Sequence, residues 1–299
     1  MDALTAFVES VDVRLAGLRD RLAASVAREP TDTLALRFTL ILAILLAMKG
    51  QTSLQIFVCV CASFMLALPA LLVSRTGWVV LATCWTLQVI GSWHQADNHQ
   101  FLMTYWLMAC ALVAARPREL QRAARALIAS VFTFAVVWKL ISGDYLSGAF
   151  FYLQLLDDPR TQHFSAWIAG MSVEEVRTQS AVLQRLITLP DHAGIASLPD
   201  YKTLRFVALG MAWVGVGVEA SIAVLHLIPS ERMERARHVA LLGFILGTYL
   251  LLPVVGFALL LTILGLAECP EGAVRLKCTY VATAGLIHMV MFPWQSLLT

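Results

Sequence analysis

Long apolar runs, separated by short polar stretches, recur along almost the whole chain. A transmembrane α-helix needs about 20 apolar residues to cross roughly 30 Å of hydrocarbon, and most of the runs approach that length. They predict nine transmembrane helices, near 34–50, 52–73, 77–94, 99–115, 126–143, 204–228, 239–252, 254–268 and 277–294. The seventh and eighth helices have an alternative interpretation. Because Pro253 lies between them, they could form a single kinked segment that re-enters the bilayer. We expect an all-α fold, a polytopic membrane bundle.

The composition agrees with this pattern. Hydrophobic residues make up 59% of the chain and charged residues only 14%, with a mean hydropathy of +0.74. One soluble core of 299 residues does not hide so much apolar surface. The formal net charge of +2 is too small to indicate nucleic-acid binding. The lipid bilayer is therefore the expected surroundings of most of the chain.

Basic residues set the predicted orientation, because short cytoplasmic loops of membrane proteins carry an excess of arginine and lysine. Five basic clusters precede the first span or follow every second span. They comprise Arg14, Arg19, Arg21, Arg28 and Arg37; Arg75; Arg116, Arg118, Arg122 and Arg125; Arg232, Arg235 and Arg237; and Arg275 with Lys277. We expect an integral multi-pass protein with a cytoplasmic N-terminus and with its C-terminus outside.

The extramembrane parts divide the chain further. Residues 1–30 predict a helix that lies on the cytoplasmic surface, with a partner-binding helix as the alternative. Its apolar face comprises Leu4, Phe7, Val8, Val11, Leu15, Leu18 and Leu22. Residues 31–299 form the predicted transmembrane domain, and an extracytoplasmic insertion occupies 144–203.

Within that insertion, Ser172 and Glu175 form a capping box at the start of an amphipathic helix. Apolar residues follow at helical spacing: Val173, Val176, Leu183, Leu186 and Ile187. The helix either covers exposed helix ends at the membrane interface or acts as a lid over an outward-opening cavity.

Lys139 stands inside an apolar run, where a lysine costs about 2.5–3.5 kcal/mol at the membrane centre. The span runs outward and ends near Gly143, so Lys139 lies about 6 Å along the helix axis from that end. Snorkelling to water is one interpretation. The alternative interpretation is that Lys139 points into the bundle. The small residues Ala135 and Gly143, which share its helix face, favour this interpretation.

A second polar group lies at the outward turn between the third and fourth spans. His94, Asp97, Asn98 and His99 are predicted on the same side of the membrane as Lys139. Each histidine alone is typical of an interfacial anchor, and a metal centre is a further alternative. Together with an inward lysine they predict an acid–base site, because burial favours the neutral amine of a lysine.

Glu219 is a third ionisable residue within an apolar run. Counted from Leu204, it lies about 22 Å from the outer end of its span, which predicts that it is too deep to join a site at Lys139. A carboxylate at that depth needs a partner or a proton, so helix packing or a proton path is expected.

Four stretches carry a resemblance to a known family: "DNHQFLMTYWLM" at 97–108, "WKLISGDYLSG" at 138–148, "VGVEASIAVLHLIPS" and "VVGFALLLTILGLAECP". They resemble the membrane domain of the vitamin K-dependent gamma-carboxylase and its bacterial relatives, the HTTM family. The resemblance extends over most of 34–294 and implies a quinol- and O2-dependent enzyme, expected in a bacterial inner membrane.

The resemblance also implies roles for individual residues. Lys139 looks like the base that deprotonates a reduced quinone, and His99 with Asn98 like the groups that stabilise the oxygenated intermediate. Addition of O2 then makes a strong base, which in the carboxylase removes a glutamyl proton before CO2 adds. The same resemblance implies that the quinone is bound by Trp138, Asp97 and Tyr145.

One departure and one alternative accompany this resemblance. Family members often carry a second lysine where Trp138 stands here. A large lumenal domain contributes to peptide binding in the carboxylase, and here we expect a separate extracytoplasmic partner to present a peptide substrate. The alternative is a non-catalytic membrane subunit or scaffold for the maturation or export of a secreted peptide.

Overall fold

The computed structural model describes residues 16–17, 20–21, 24–48, 52–159, 161–188, 201–249 and 254–291. Within these ranges the chain is helical and contains no strand, as the sequence predicts. The apolar residues of the predicted N-terminal surface helix, from Leu4 to Leu22, lie outside the described ranges. So do Pro253 and the C-terminal Thr299.

The chain forms two compact units. Unit 1 comprises Met1–Val131 and Val224–Thr299, and unit 2 comprises Phe132–Ala223. Unit 1 contains α1 (Thr31–Ala47), α2 (Ser53–Ala67), α3 (Arg75–Gly91) and α4 (Asn98–Val113), followed by the first part of α5 (Pro117–Ile141). The end of α10 (Lys202–Leu227) returns to it, followed by α11 (Glu234–Tyr249), α12 (Val255–Glu268) and α13 (Val274–Met291).

Helix α12 is the core of unit 1. Its sequence is apolar on every face, and every residue from Ala258 to Glu268 is buried. A helix that is apolar on every face is buried either by other parts of the protein or by lipid. Helices α1, α4, α11 and α13 pack against it.

Three tryptophans fill the remaining core of unit 1, and each satisfies its indole N–H. Trp106 donates to Thr39 Oγ1 at 2.8 Å, and Trp78 donates to the carbonyl of Leu72 at 2.7 Å. Trp85 donates to a backbone carbonyl in the first turn of α4 at 3.2 Å. These bonds offset the cost of burying the one polar atom of each large apolar side chain.

Unit 2 contains the end of α5, then α6 (Gly143–Leu146), α7 (Ala149–Asp157), α8 (Gln162–Ala169), α9 (Val173–Thr188) and most of α10. The predicted capping box is confirmed, since Glu175 N donates to Ser172 Oγ at 3.2 Å and Ser172 N donates to Glu175 Oε2 at 2.7 Å.

Helix α9 packs on α7 and α8, and it buries Val176 and Leu183. Both residues belong to the stripe that the spacing of apolar residues predicts. The lid role of the helix stays a hypothesis.

By length and composition, α5 and α10 are the two helices in the described ranges that are long and apolar enough to cross a membrane. They contain 25 and 26 residues. Helices at the other predicted spans are shorter, from 14 residues in α12 to 18 in α13. One cause is visible after α2, where Pro69 starts a 3-10 helix (Pro69–Val73) inside the predicted span 52–73.

Candidate functional site

Lys139 and Glu219 form an ion pair in unit 2. Lys139 lies in the last turn of α5 and Glu219 in α10, and the lysine Nζ donates to Glu219 Oε1 at 2.5 Å. Their side chains are 19% and 10% exposed. Lys139 therefore points towards a neighbouring helix rather than out to water, and a carboxylate neutralises its charge.

The pair corrects the expectation that Glu219 lies too deep to reach Lys139. That expectation places the outer end of the span at Leu204. In the structure the first turns of α10 pack beside α7, where Leu204 and Ala208 share a buried cluster with Leu155 and Leu156. Because α7 follows α5 in the chain, α10 begins beyond the end of α5 and not level with it. Glu219, further along α10, then lies beside the end of α5.

Gly148 makes this arrangement possible. Its φ of +79° is in the left-handed region, and a Cβ at this position would lie 2.8 Å from the backbone nitrogen of Leu209. Only glycine permits both the backbone conformation and the close approach of the two main chains. The glycine that ends the "WKLISGDYLSG" stretch thus fixes α7 against α10.

Tyr145 is the third member of the site. Lys139 Nζ lies 4.6 Å from the centroid of the Tyr145 ring, a distance typical of a cation–π contact. Phe150 stacks on the same ring at 5.7 Å, and Phe151 meets it edge-on at 5.5 Å. Burial and, secondarily, the charge of Glu219 raise the pKa of Tyr145 to about 12, so its phenol stays a hydrogen-bond donor.

The Tyr145 hydroxyl lies over Gly215, where an added Cβ would be 3.0 Å from the oxygen. Gly215 is one helical turn before Glu219, so the hydroxyl, the amine of Lys139 and the carboxylate of Glu219 meet on one face of α10. We call Lys139, Tyr145 and Glu219 the amine–phenol–carboxylate site.

One atom of this site has no hydrogen bond from any residue that the structure describes. It is Glu219 Oε2, which is buried, while Oε1 accepts from Lys139. A buried carboxylate oxygen without a donor costs free energy, on the order of 1–3 kcal/mol or more. Glu219 Oε2 is therefore an acceptor that the described residues leave unused.

The remaining predicted site residues are Trp138 in unit 2 and Asp97, Asn98 and His99 in unit 1. Trp138 is exposed, and so are Asp97 and Asn98, which precede and open α4. His99 is buried, with Nδ1 at 3.8 Å from Asp97 Oδ2 and its ring against Gly256, where a Cβ would lie 2.6 Å from the ring. The structure brings His99 together with Asp97 and Gly256.

Lys139 and Tyr145 belong to unit 2, whereas His99 and Asn98 belong to unit 1. A site that these residues share stays a prediction. Within the described ranges, no group of three or more His, Cys, Asp or Glu residues is placed to hold a metal ion.

A second buried ionic cluster, absent from the predicted sites, lies in unit 1. Glu268, the last residue of α12, is 3% exposed. Its Oε1 lies 3.0 Å from Arg237 Nε and 3.8 Å from Arg125 Nε, and its Oε2 lies 3.2 Å from His226 Nε2. We call these four residues the Glu268 cluster.

The two arginines also hold the end of α10. Arg125 donates to the carbonyls of His226 at 3.1 Å and Ile228 at 2.6 Å, and Arg237 donates to that of Ser230 at 2.9 Å. Carbonyls at a helix C-terminus have no partner within the helix, and cationic side chains stabilise them. The cluster therefore ties α5, α10, α11 and α12 together inside unit 1.

A signal for this cluster exists in the sequence. Glu268 closes an uninterrupted apolar helix, an unusual place for an acid unless a basic partner is near. The sequence pattern assigns Arg125 and Arg237 only a role in orientation.

Comparison of the chain with protein-family models, with curated proteins and with solved structures found no match.

Proposed function

We propose that this chain is a multi-pass membrane enzyme of the HTTM type that uses a reduced quinone and O2 to generate a strong base. The amine–phenol–carboxylate site carries the proposal. The resemblance of 138–148 gives Lys139 an acid–base role, and the described geometry surrounds its amine with a carboxylate and an aromatic ring.

The surfaces of the two long helices support a membrane setting. Only 22% of the apolar window of α5 and 33% of that of α10 are buried. A soluble protein would bury such helices, whereas lipid covers an exposed apolar face without cost. Among the exposed residues are Phe134, Trp138, Phe206 and Trp213. The proposal includes nine spans, a cytoplasmic N-terminus and an outward 144–203 segment.

The residues present fit a hydroquinone. A planar ring with a hydroxyl group matches the aromatic side chains Tyr145 and Phe150, and the hydroxyl supplies the donor that Glu219 Oε2 lacks. A hydroquinone dissolved in the bilayer would reach the site between the exposed faces of the membrane helices. The low dielectric there strengthens charge interactions and keeps water from quenching a strong base.

In the proposed reaction, hydroquinone and O2 give quinone epoxide and water. Each product receives one of the two oxygen atoms of O2, so the reaction balances. The chain's contribution begins with removal of a hydroxyl proton by the Lys139–Glu219 pair. His99 and Asn98 are proposed to stabilise negative charge that develops on oxygen. Trp138 and Asp97 are proposed quinone contacts.

Coupling to a peptide is the second part of the proposal. The base generated at the site would remove a glutamyl proton, after which CO2 adds, on a peptide presented by a separate extracytoplasmic partner. A non-catalytic scaffold is the competing function. The ion pair itself favours that alternative, because two mutually neutralised charges also serve to pack helices.

Turnover of reduced quinones by the protein in nanodiscs tests the proposal. We expect O2-dependent formation of epoxide, which Lys139→Met abolishes. Lys202→Met, at the exposed start of α10, is the matched control and should keep the rate. Absence of epoxide with several reduced quinones, from protein that is folded, would favour the scaffold.

A further inference from the structure

We infer that Glu219 is the residue that binds the hydroxyl of an aromatic ligand and takes its proton, while Lys139 holds the resulting anion. This inference rests on the proposed function and assigns its first chemical step to particular atoms. The ligand class is a planar aromatic ring with a hydroxyl group, as in quinols and naphthols.

The geometry of the carboxylate leads to this assignment. Glu219 Oε1 is engaged by Lys139, and Oε2 is buried without a hydrogen bond from the described residues. The Lys139 amine already donates to Oε1, so its nitrogen is engaged within the pair. Glu219 Oε2 is then the atom of the pair that offers a lone pair to a ligand hydroxyl.

The surroundings select an aromatic ligand. The Tyr145 ring faces the lysine amine and stacks on Phe150, and its hydroxyl reaches the α10 face that carries Glu219. An aliphatic alcohol would satisfy Oε2 but would not stack on these rings. An aromatic hydroxyl is also far more acidic than an aliphatic one, so its proton can be transferred.

The proton transfer balances within three groups. The O–H bond of the ligand breaks, and an O–H bond forms at Glu219 Oε2. Protonation neutralises the carboxylate, so the Lys139 ammonium loses its counter-ion and gains the aryloxide in its place. The net charge of the site is unchanged, which avoids the cost of an uncompensated charge in a low-dielectric interior.

The test uses 1-naphthol, which carries a single hydroxyl and whose anion absorbs at a longer wavelength than the neutral form. Protein in nanodiscs is titrated at neutral pH under argon, so no oxygen-dependent turnover occurs. We expect saturable binding and the absorbance of naphtholate. Glu219→Gln should remove the naphtholate signal and weaken binding about tenfold, whereas Glu174→Gln, at an exposed position of α9, should change neither.

Infrared difference spectra of the wild-type protein provide a measurement that needs no variant. Binding of 1-naphthol should produce the carbonyl band of a newly protonated carboxylic acid. Binding without naphtholate and without this band would overturn the inference, and so would an unchanged naphtholate signal in Glu219→Gln or no binding at all. Naphtholate formation together with no epoxide from any quinol would overturn the proposed function alone.

Discussion

Two buried carboxylates, one in each unit, have opposite surroundings. In unit 1, each oxygen of Glu268 lies within 3.2 Å of a nitrogen of a basic side chain, and a further arginine is at 3.8 Å. In unit 2, one oxygen of Glu219 accepts from Lys139, and the other has no donor among the described residues.

Under the proposed function, this difference separates a structural carboxylate from one that takes part in chemistry. The partners of Glu268 also bind the carbonyls at the end of α10, so the carboxylate completes a joint between helices. Glu219 has one charged partner, one open oxygen and an aromatic neighbour, Tyr145. We propose that the several ion pairs of Glu268 hold it in one state, whereas Glu219, with one charged partner, can exchange a proton with a ligand.

Glu268→Ala should have the largest effect on stability. It leaves the buried Arg237 and the partly buried Arg125 without their counter-charge, which costs about 3–5 kcal/mol when a buried pair is broken. We expect a large drop in the melting temperature of the purified protein, measured in detergent by intrinsic fluorescence.

Glu231→Gln is the control, because Glu231 is exposed at the start of a 3-10 helix. A melting temperature for Glu268→Ala equal to that of this control would show that the Glu268 cluster contributes nothing to the architecture.

Gly148→Ala should cause the next largest loss of stability. Two causes contribute, backbone strain and a steric contact, and Gly170→Ala serves as a control that has only the first. Both glycines have positive φ, so alanine strains either backbone by about 1–2 kcal/mol. A Cβ at Gly148 also meets the backbone of Leu209 at 2.8 Å, whereas nothing lies within 4 Å at Gly170. Chemical denaturation should show a loss for Gly148→Ala about twice that for Gly170→Ala, and equal losses would contradict the close approach of α7 to α10.

The sequence predicted much of unit 2 correctly, for local reasons. Helical periodicity and the Ser172 capping box act within a few residues, so they can be interpreted without knowledge of the tertiary fold. That Lys139 has a charged partner was also predictable, because a lysine in an apolar run needs one.

The partners of these charged residues were harder to predict. Glu219 was assigned a wrong depth because nothing local shows that α10 begins level with α7. Arg125 and Arg237 follow the orientation rule for basic residues, and that role concealed their contacts with Glu268. Ion pairs between residues that are distant in the sequence, as Lys139 and Glu219 are, depend on tertiary packing, which the sequence pattern does not encode locally.

Gly215→Ala should have a smaller effect, confined to the chemistry. A Cβ at Gly215 would lie 3.0 Å from the Tyr145 hydroxyl, a distance that a small movement of the ring relieves. Stability should change by less than about 1 kcal/mol, because alanine also favours the helix. The rate of epoxide formation should fall about tenfold, since small displacements of a reacting group are costly.

The matched substitution is Gly217→Ala, where a Cβ has nothing within 4 Å. It should keep the full rate. Equal rates for the two variants would exclude Tyr145 from the site.

The smallest effect on stability is expected for the double variant Lys139→Met with Glu219→Leu. Apolar side chains of similar volume replace a buried ion pair at little or no cost, so the change should stay within about 1 kcal/mol. The melting temperature of the detergent-solubilised protein measures it. A loss comparable to that of Glu268→Ala would mean that the pair serves the fold, as the Glu268 cluster does.

The rate of epoxide formation from a reduced quinone and O2 by this double variant tests the central claim most directly. The protein should be folded and as stable as the wild type, yet it should form no epoxide above the rate in protein-free nanodiscs. A double variant that forms epoxide at the wild-type rate would contradict the assignment of chemistry to Lys139 and Glu219.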